Sequence, residues 1–533
     1  MMSDRTTENP EYAVLPEPKE QSHGQVVGTL ARNSVANGVR LGVGALVAIL
    51  LPAYLTHHLS VQTYGAWVLI LQLGAYVGYL DFGVQTAVSK YIAEYEAKGD
   101  ETGCSRCVSV GLAITLIAGA LGVLVTLALA WKVPELFGNI PPELIREVRI
   151  SLLFVGISLS ATLATSVFSA IFLGLQRYQV PMMTSVVSKI LYGAVLYAAV
   201  FFHGSLVVMG MAAAAVNLMT ALLQVAMWRK LASQIRVSLR AIDFTMVRQM
   251  FRYCAVLTVW SVCMLFITGI DVTIVGHYAF NEVAYYSIAT APTNLILLIL
   301  GAALGPLLPA TSALSVARSS EQMGNILLRT TRYSTILLLV TGLPLLVCGY
   351  PILRLWVGAT YAQNSVQFLR ILLVANILRN LCAPYATMVM ATSKQHVATA
   401  SAITEGVVNL VGSVWLARHM GAMGVALGTL LGSIAGIGMH FWVSMHYTGP
   451  TLTVSRMKIL TQGMIRPAVM AIPSMLLLPY WRIAQVPEIS AMLWILWAMT
   501  TAFLAWFVSM SGDDRGILLR MVGDRMRLSP SRS

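Results

Sequence analysis

Residues 108–131 read VSVGLAITLIAGALGVLVTLALAW, a run without one charged side chain. As an α-helix rising 1.5 Å per residue it is about 36 Å long, enough to cross the roughly 30 Å hydrocarbon core of a bilayer. Outward from it, runs of similar length recur near 33–56, 66–88, 150–173, 182–202, 205–228, 253–275, 287–309, 333–352, 366–390, 396–417, 422–445, 462–480 and 489–510. Short polar connectors separate them. No soluble fold has use for fourteen such segments. The sequence therefore predicts an all-α membrane protein of about fourteen transmembrane helices.

Composition agrees: 57% of the chain is hydrophobic and 11% charged, with a mean hydropathy of +0.74. The net charge of +13 does not point to nucleic acid, because no basic domain stands outside the spans to carry it. It follows instead the tendency of Lys and Arg to collect on the cytoplasmic side of a membrane. With the N-terminus inside, 24 of the 35 basic residues fall in cytoplasmic segments, 6 on the other face and 5 within spans. Both termini are thus expected in the cytoplasm, in a multi-pass protein of the inner (plasma) membrane. Residues 1–30 are polar and hold no apolar signal core, so the first span is expected to be its own insertion signal.

Of the six cysteines only Cys104 and Cys107 form a C-x-x-C. Without a second ligand pair or a thioredoxin-like βαβ setting they are read as ordinary thiols, and no metal site is expected.

The halves repeat each other. The connector Gly174-Leu175-Gln176-Arg177 returns 217 residues later as Ala391-Thr392-Ser393-Lys394, and Gly204 returns as Gly421 at the same offset. Lys98-Gly99-Asp100-Glu101 has a counterpart 220 residues on, at Arg318-Ser319-Ser320-Glu321. Two six-helix repeats are expected. Since six is even they enter from the same side and are parallel. The expected organisation is a polar cytoplasmic segment 1–30, an N-lobe 31–228, a linker 229–252, a C-lobe 253–447, two further spans in 448–510 and a basic tail 511–533. In the linker, basic and apolar residues alternate as in an amphipathic helix lying on the cytoplasmic face.

Thr63-Tyr64-Gly65-Ala66-Trp67, Leu80-Asp81-Phe82-Gly83-Val84-Gln85 and Lys90-Tyr91-Ile92-Ala93-Glu94, with Arg32-Asn33-Ser34 and Leu308-Pro309-Ala310-Thr311-Ser312, resemble the polysaccharide-biosynthesis flippases. These are the O-antigen and exopolysaccharide repeat-unit translocases of the multidrug/oligosaccharidyl-lipid/polysaccharide exporter superfamily. The resemblance spans roughly residues 28–450. It implies a MATE-like fold, two lobes around a central cavity, working by alternating access on an undecaprenyl-pyrophosphate-linked oligosaccharide. Coupling to an ion gradient, H⁺ or Na⁺, is implied with it. So are polysaccharide polymerase and chain-length machinery as partners.

Such a substrate needs a wet cavity with cations for its pyrophosphate, so ionisable residues inside spans become the candidates. The cations are Arg40, Lys189, Arg370, Arg379 and Arg466. Arg379 is the deepest, with Asn376 and Asn380 beside it and Pro384 beyond. Asn33, Asn37, Arg40 and Gly44 share one helical face. Arg40, Lys189 and Arg379, with Asn37 and Asn376, are read as substrate-binding, against the alternative of ion pairs that only hold helices together. Arg370 and Arg466 are near enough to span ends to snorkel. Asp81, Asp271 and Glu405 are the ion-coupling candidates, since a carboxylate in a low-dielectric cavity is stabilised by taking up a proton or Na⁺. Each is equally a possible fixed partner for Arg379 or Lys189. His57-His58 is no metal pair, because adjacent residues do not share a helix face.

Three rivals stand beside a flippase of lipid-linked repeat units. A membrane polymerase or ligase needs a sizeable outer domain, and residues 132–149, the longest outer connector, are too short for one. No nucleotide or triad motif appears either, so the chain is not expected to be an enzyme. A cationic-drug antiporter should carry more acidic than basic residues in its spans, the reverse of what is found. A multidrug/cation antiporter or a lipid II flippase of the same superfamily remains the nearest alternative.

Overall fold

A computed structural model describes residues 23–238, 243–316, 320–391, 395–448, 454–477, 487–510, 512 and 515–516. Among these the chain is helical throughout and forms no strand. Eleven helical segments are long and apolar enough to cross a membrane. One of them, Val397–Thr448, is 52 residues long and supplies two crossings. Short helical pieces in residues 454–477 and the helix Pro487–Leu504 follow, with Ile495–Ser509 apolar but shorter than those spans.

The first half holds α1 (His23–His58), α2 (Val61–Tyr79), α3 (Val84–Ala97), α4 (Glu101–Leu136), α5 (Pro142–Gly174), α6 (Gln179–Phe201) and α7 (Leu206–Leu231). Here α5 is central, packed on α2, α3, α4 and α7. Hydrophobicity cannot glue apolar helices together in lipid, so small residues and interhelical hydrogen bonds take over. Thr115 Oγ1 donates to Ala164 O (3.0 Å), Thr162 Oγ1 to Asn217 O (3.1 Å) and Asn217 Nδ2 to Ser158 Oγ (3.0 Å).

The second half holds α8 (Phe244–Met264), α9 (Asp271–Tyr278), α10 (Val283–Leu304), α11 (Leu307–Val316), α12 (Ser320–Val347), α13 (Gly349–Val357), α14 (Ala359–Asn380), α15 (Ala383–Ala391) and α16 (Gln395–Met439). α16 runs through a corner at Gly421, whose φ of 57° suits a residue without Cβ. The N–H of Ala422, which opens the second arm, is capped by Glu282 Oε2 at 2.7 Å.

Several expected single spans are broken within the membrane. The second is α2 then α3, divided at Leu80-Asp81-Phe82-Gly83, where Phe82 (φ 49°) and Gly83 (φ 77°) are both left-handed. Asp81 lies at this break and is half-buried. Gly83 also lies against Leu257 of α8, leaving no room for a side chain. The seventh is α8 and α9 joined by a π-turn, Leu265–Gly269.

The linker departs from expectation. Residues 229–252 are not one interfacial helix: α7 ends at Leu231, a turn follows, and α8 begins at Phe244. Between them the N–H groups of Arg236 and Ser238 donate to Ser105 and Ser109 Oγ of α4 at 3.1 and 3.0 Å. Ala232, Ile235, Met246 and Met250 are buried in a cluster with residues of α3, α4 and α5 rather than facing headgroups. Arg240 lies outside the described residues.

The halves meet in different ways at the two ends of the bundle. At one end Tyr64 of α2 packs edge-on against Tyr361 of α14, with ring centroids 6.1 Å apart, and Trp356 Nε1 donates to Ile49 O at 2.7 Å. At the end where α3 meets α8, Tyr91 OH reaches Gln249 O (3.5 Å) and Lys90 lies 4.8 Å over the Tyr253 ring. A large cavity opens beside that second contact.

Candidate functional site

That cavity, of about 770 Å³, is shared by both halves: Thr86 and Tyr91 come from α3, and Gln249, Arg252, Tyr253 and Trp260 from α8. Leu308, Met390, Ala398 and Thr399 complete it from α11, α15 and α16. The break after Asp81 turns α3 toward α8, which is how the residues after Gly83 come to line it. Arg252 is exposed and no carboxylate is among the described lining residues. The arrangement offers one guanidinium, three aromatic rings and scattered hydroxyl and amide groups.

A second cavity, of about 470 Å³, lies between α1 and α6 on one side and α10, α12 and α13 on the other. Its walls are mostly apolar, including Leu41, Ile49, Leu298 and Trp356, with Lys189 and Asn294 as polar exceptions. Lys189 reaches across to Gly44 and feels the charge of Arg40. The side chain of Asn37 lies outside the described residues.

Asn294 also borders a third, small cavity of about 110 Å³ in the second half. Here the expected candidates Asp271, Asn376 and Arg379 do come together, with Gln72 from the first half and Tyr286 and Thr429 beside them. Asp271, buried at the N-terminus of α9, accepts hydrogen bonds from Thr429 Oγ1 (3.2 Å), Tyr286 OH (3.3 Å) and Asn409 Nδ2 (3.4 Å). Asn409 is itself pinned, its amide donating to the carbonyls of Phe266 and Ile267 in the π-turn at 2.8 and 2.9 Å. Arg379 lies close enough to interact with Asp271 electrostatically, but its salt bridge is to Glu405 through Nε. Asn376 spends its Nδ2 on its own helix, at Leu372 O (2.9 Å).

The site candidates therefore sort into three places. Arg379, Asn376 and Asp271 line one small polar cavity, with Glu405 as the partner of Arg379. Lys189 lines the neighbouring apolar one, near Arg40. Asp81 is at the α2/α3 break. None of the eight candidates appears among the described lining residues of the cavity of about 770 Å³. Arg370 and Arg466 do not snorkel freely: Arg370 is buried with Nε on Leu346 O (3.2 Å), and Arg466 holds Val508 O (2.5 Å) and Met510 O (3.3 Å). Cys104 and Cys107 are buried free thiols. The described residues contain no cluster of three His, Cys, Asp or Glu.

Arg252, Tyr253 and Trp260 were missed by the sequence reading. Their signal was modest: Trp260 lies inside an apolar run, away from the span ends where interfacial tryptophans gather.

A family model described as polysaccharide biosynthesis protein matches residues 30–315, just over half of the chain. The chain belongs to that family. The match begins within α1 and takes in the rest of the first half and the helices α8 to α11, which include most of the wall of the large cavity. Solved structures share the fold of this family member. Lipid II flippase MurJ in an inward closed conformation superposes with a TM-score of 0.65 at 12% identity, over 89% of this chain and 99% of that one. An inward-facing multidrug resistance MATE transporter of the MOP superfamily gives 0.60 at 16% identity, over 76% and 97%. A MOP superfamily transporter from Pyrococcus furiosus, described as having a binding pocket of reverse polarity, gives 0.57 at 17% identity, over 79% and 96%. No curated sequence matches the chain. The fold is that of the MOP superfamily, in a multi-pass membrane protein of polysaccharide biosynthesis.

Proposed function

We propose that this protein is a flippase that carries an undecaprenyl-pyrophosphate-linked oligosaccharide repeat unit from the cytoplasmic to the outer leaflet. Membership of a polysaccharide biosynthesis family supports a substrate drawn from polysaccharide assembly. The observation that carries the reading is the cavity between the halves, where Arg252 stands among Tyr91, Tyr253 and Trp260. A planar guanidinium grips a pyrophosphate bidentately, and aromatic faces suit the apolar faces of sugar rings. The same lining argues against a cationic-drug antiporter, which would need a carboxylate there. Movement would follow from rocking one half against the other, closing this cavity and parting the Tyr64–Tyr361 contact at the far end. The step is driven by a cation, H⁺ or Na⁺, taken up at Asp271.

Deleting the protein is expected to leave lipid-linked repeat units on the cytoplasmic leaflet and to abolish the surface polymer, with glycosyltransferase activity intact. Arg252→Gln should cut export at least roughly tenfold, the worth of one charge-assisted pair, at unchanged protein level because Arg252 is exposed. Normal polymer in the deletion strain, or accumulation of a peptidoglycan precursor alone, would reject this substrate.

Orientation follows the charge asymmetry. Lys98 and Asn139 are exposed in the turns at opposite ends of α4. In a cysteine-free background Asn139→Cys should react with an impermeant maleimide in intact cells, and Lys98→Cys only after permeabilisation. The opposite pattern would invert the topology.

A further inference from the structure

One face of α2 carries Gly65, Leu69, Gln72, Tyr76 and Tyr79, at steps of four, three, four and three. Each of them meets the second half. Gly65 lies against Ala284 and Leu69 against Gly276. Gln72 Nε2 donates to Gly269 O, and Tyr76 OH shares a hydrogen bond with Thr273 Oγ1. A Cβ on Gly269 would come within 2.5 Å of Tyr79 Oη, so that tyrosine lies directly over the glycine. These polar contacts flank Asp271: Gly269 closes the π-turn two residues before it, and Thr273 follows two residues after it. The π-turn is tied to the carboxylate a second time, because Asn409 donates both to Asp271 and to the carbonyls of Phe266 and Ile267. Single π-turns recur at functional sites, where a helix must change its hydrogen-bond pattern. At its other end α2 runs into the Phe82-Gly83 joint, beyond which α3 brings Thr86 and Tyr91 to the large cavity.

We propose that Gln72, Tyr76 and Tyr79 are positioning residues for the transport step, which take the state of Asp271 from the π-turn and carry it along α2 to the joint beside the large cavity. This role depends on the cation uptake proposed at Asp271. A charged carboxylate holds its donors strongly, and Asn409 bridges it to the turn; neutralising it weakens those charge-assisted bonds and frees the turn to shift. Gly269 and Thr273 move with the turn, and α2 is bonded to both. The helix then transmits the movement as a rod, Gln72 and Tyr79 being about 10 Å apart along it. Apolar packing between helices has little driving force in lipid, so the two side-chain hydrogen bonds are what fix the register of α2 on the turn.

Tyr76 carries the test, because Gln72 borders the small cavity itself and Tyr76 is not among its described lining residues. Full-length protein in vesicles is given an imposed Na⁺ or pH gradient, and export of lipid-linked repeat units is followed. Tyr76→Phe and Thr273→Val are each expected to reduce the acceleration that the gradient gives the wild type by roughly five- to tenfold, as for one lost hydrogen bond. The double variant should lose no more than either single one, because all three remove the same bond. Exchange without a gradient, and the amount of folded protein, should stay at the wild-type level. Occupancy of Asp271 is read separately, through its modification by dicyclohexylcarbodiimide as Na⁺ or pH is raised, and Tyr76→Phe should label with the wild-type profile. A Tyr76→Phe variant that answers the gradient fully overturns the proposal. So do additive losses in the double variant, an equal loss of gradient-free exchange, or a changed labelling profile, each of which gives the hydroxyl another role. Wild-type labelling at Asp271 that ignores both Na⁺ and pH would instead remove the cation site, and the role of α2 with it.

Discussion

Arg379→Gln is expected to remove most of the folded protein from the membrane, and adding Glu405→Gln is expected to restore it. The two side chains form a salt bridge between α14 and α16 with relative exposures of 13% and 10%. Removing one partner of a buried pair strands the other charge in a low-dielectric interior, at a cost of about 3–5 kcal/mol. That is a large fraction of the roughly 5–15 kcal/mol that separates folded from unfolded states. The double amide removes both members of the pair, so its loss should be smaller than that of the single variant. Detergent-extracted monodisperse protein, measured beside polymer export in the same cells, separates this from a role in holding the substrate. If Arg379→Gln were folded at wild-type level but exported nothing, the arginine would be a substrate ligand and the pairing incidental.

Geometry favours the pairing. The cavity that Arg379 borders, about 110 Å³, has room for only three or four waters at ~30 Å³ each. A sugar pyrophosphate does not fit. The large cavity that would admit one is lined by Arg252 instead.

The spans were legible because a charge-free run of twenty or so residues has one use, and hairpins at Gly204 and Gly421 punctuate the pattern. The breaks inside spans were not. The one after Leu80 depends on the left-handed Phe82 and Gly83 and on Leu257 closing over Gly83, a contact between residues 174 apart in the chain. The motif around Asp81 was visible, but not that it marks a joint between α2 and α3. Charged residues within apolar runs also showed plainly, so Asp271, Arg379 and Glu405 were found. Their grouping was hidden, because Thr429 lies 158 residues from the carboxylate it bonds. Arg252 and Tyr253 were lost for another reason. Alternating charge in the linker reads as a surface helix, and only the fold shows that its apolar members are buried and that α8 carries its start into a cavity.

Asp271→Asn is expected to abolish gradient-driven transport while leaving the protein folded. Three carboxylates were candidates for coupling: Asp81 lies at the α2/α3 break, outside the small polar cavity, and Glu405 is paired with Arg379. Asp271 has no salt bridge within 4.0 Å among the described residues, and its partners Tyr286, Asn409 and Thr429 are neutral hydrogen-bond donors. A buried carboxylate in that state carries a negative charge that a proton or a small cation can neutralise, and the adjoining cavity has space for either. The π-turn bonded to Asn409 and the small cavity bordered by Gln72 of the first half connect its occupancy to the contact between the halves. Asparagine keeps the shape and the acceptor oxygen for Thr429 but removes the charge. Moving one elementary charge across 100 mV is worth about 2.3 kcal/mol, so loss of a coupled cation should cost up to roughly fiftyfold in gradient-driven accumulation. The measurement is export into vesicles with an imposed Na⁺ or pH gradient, which should accelerate the wild type and leave Asp271→Asn indifferent. A variant that still answered the gradient would show that the driving cation binds elsewhere.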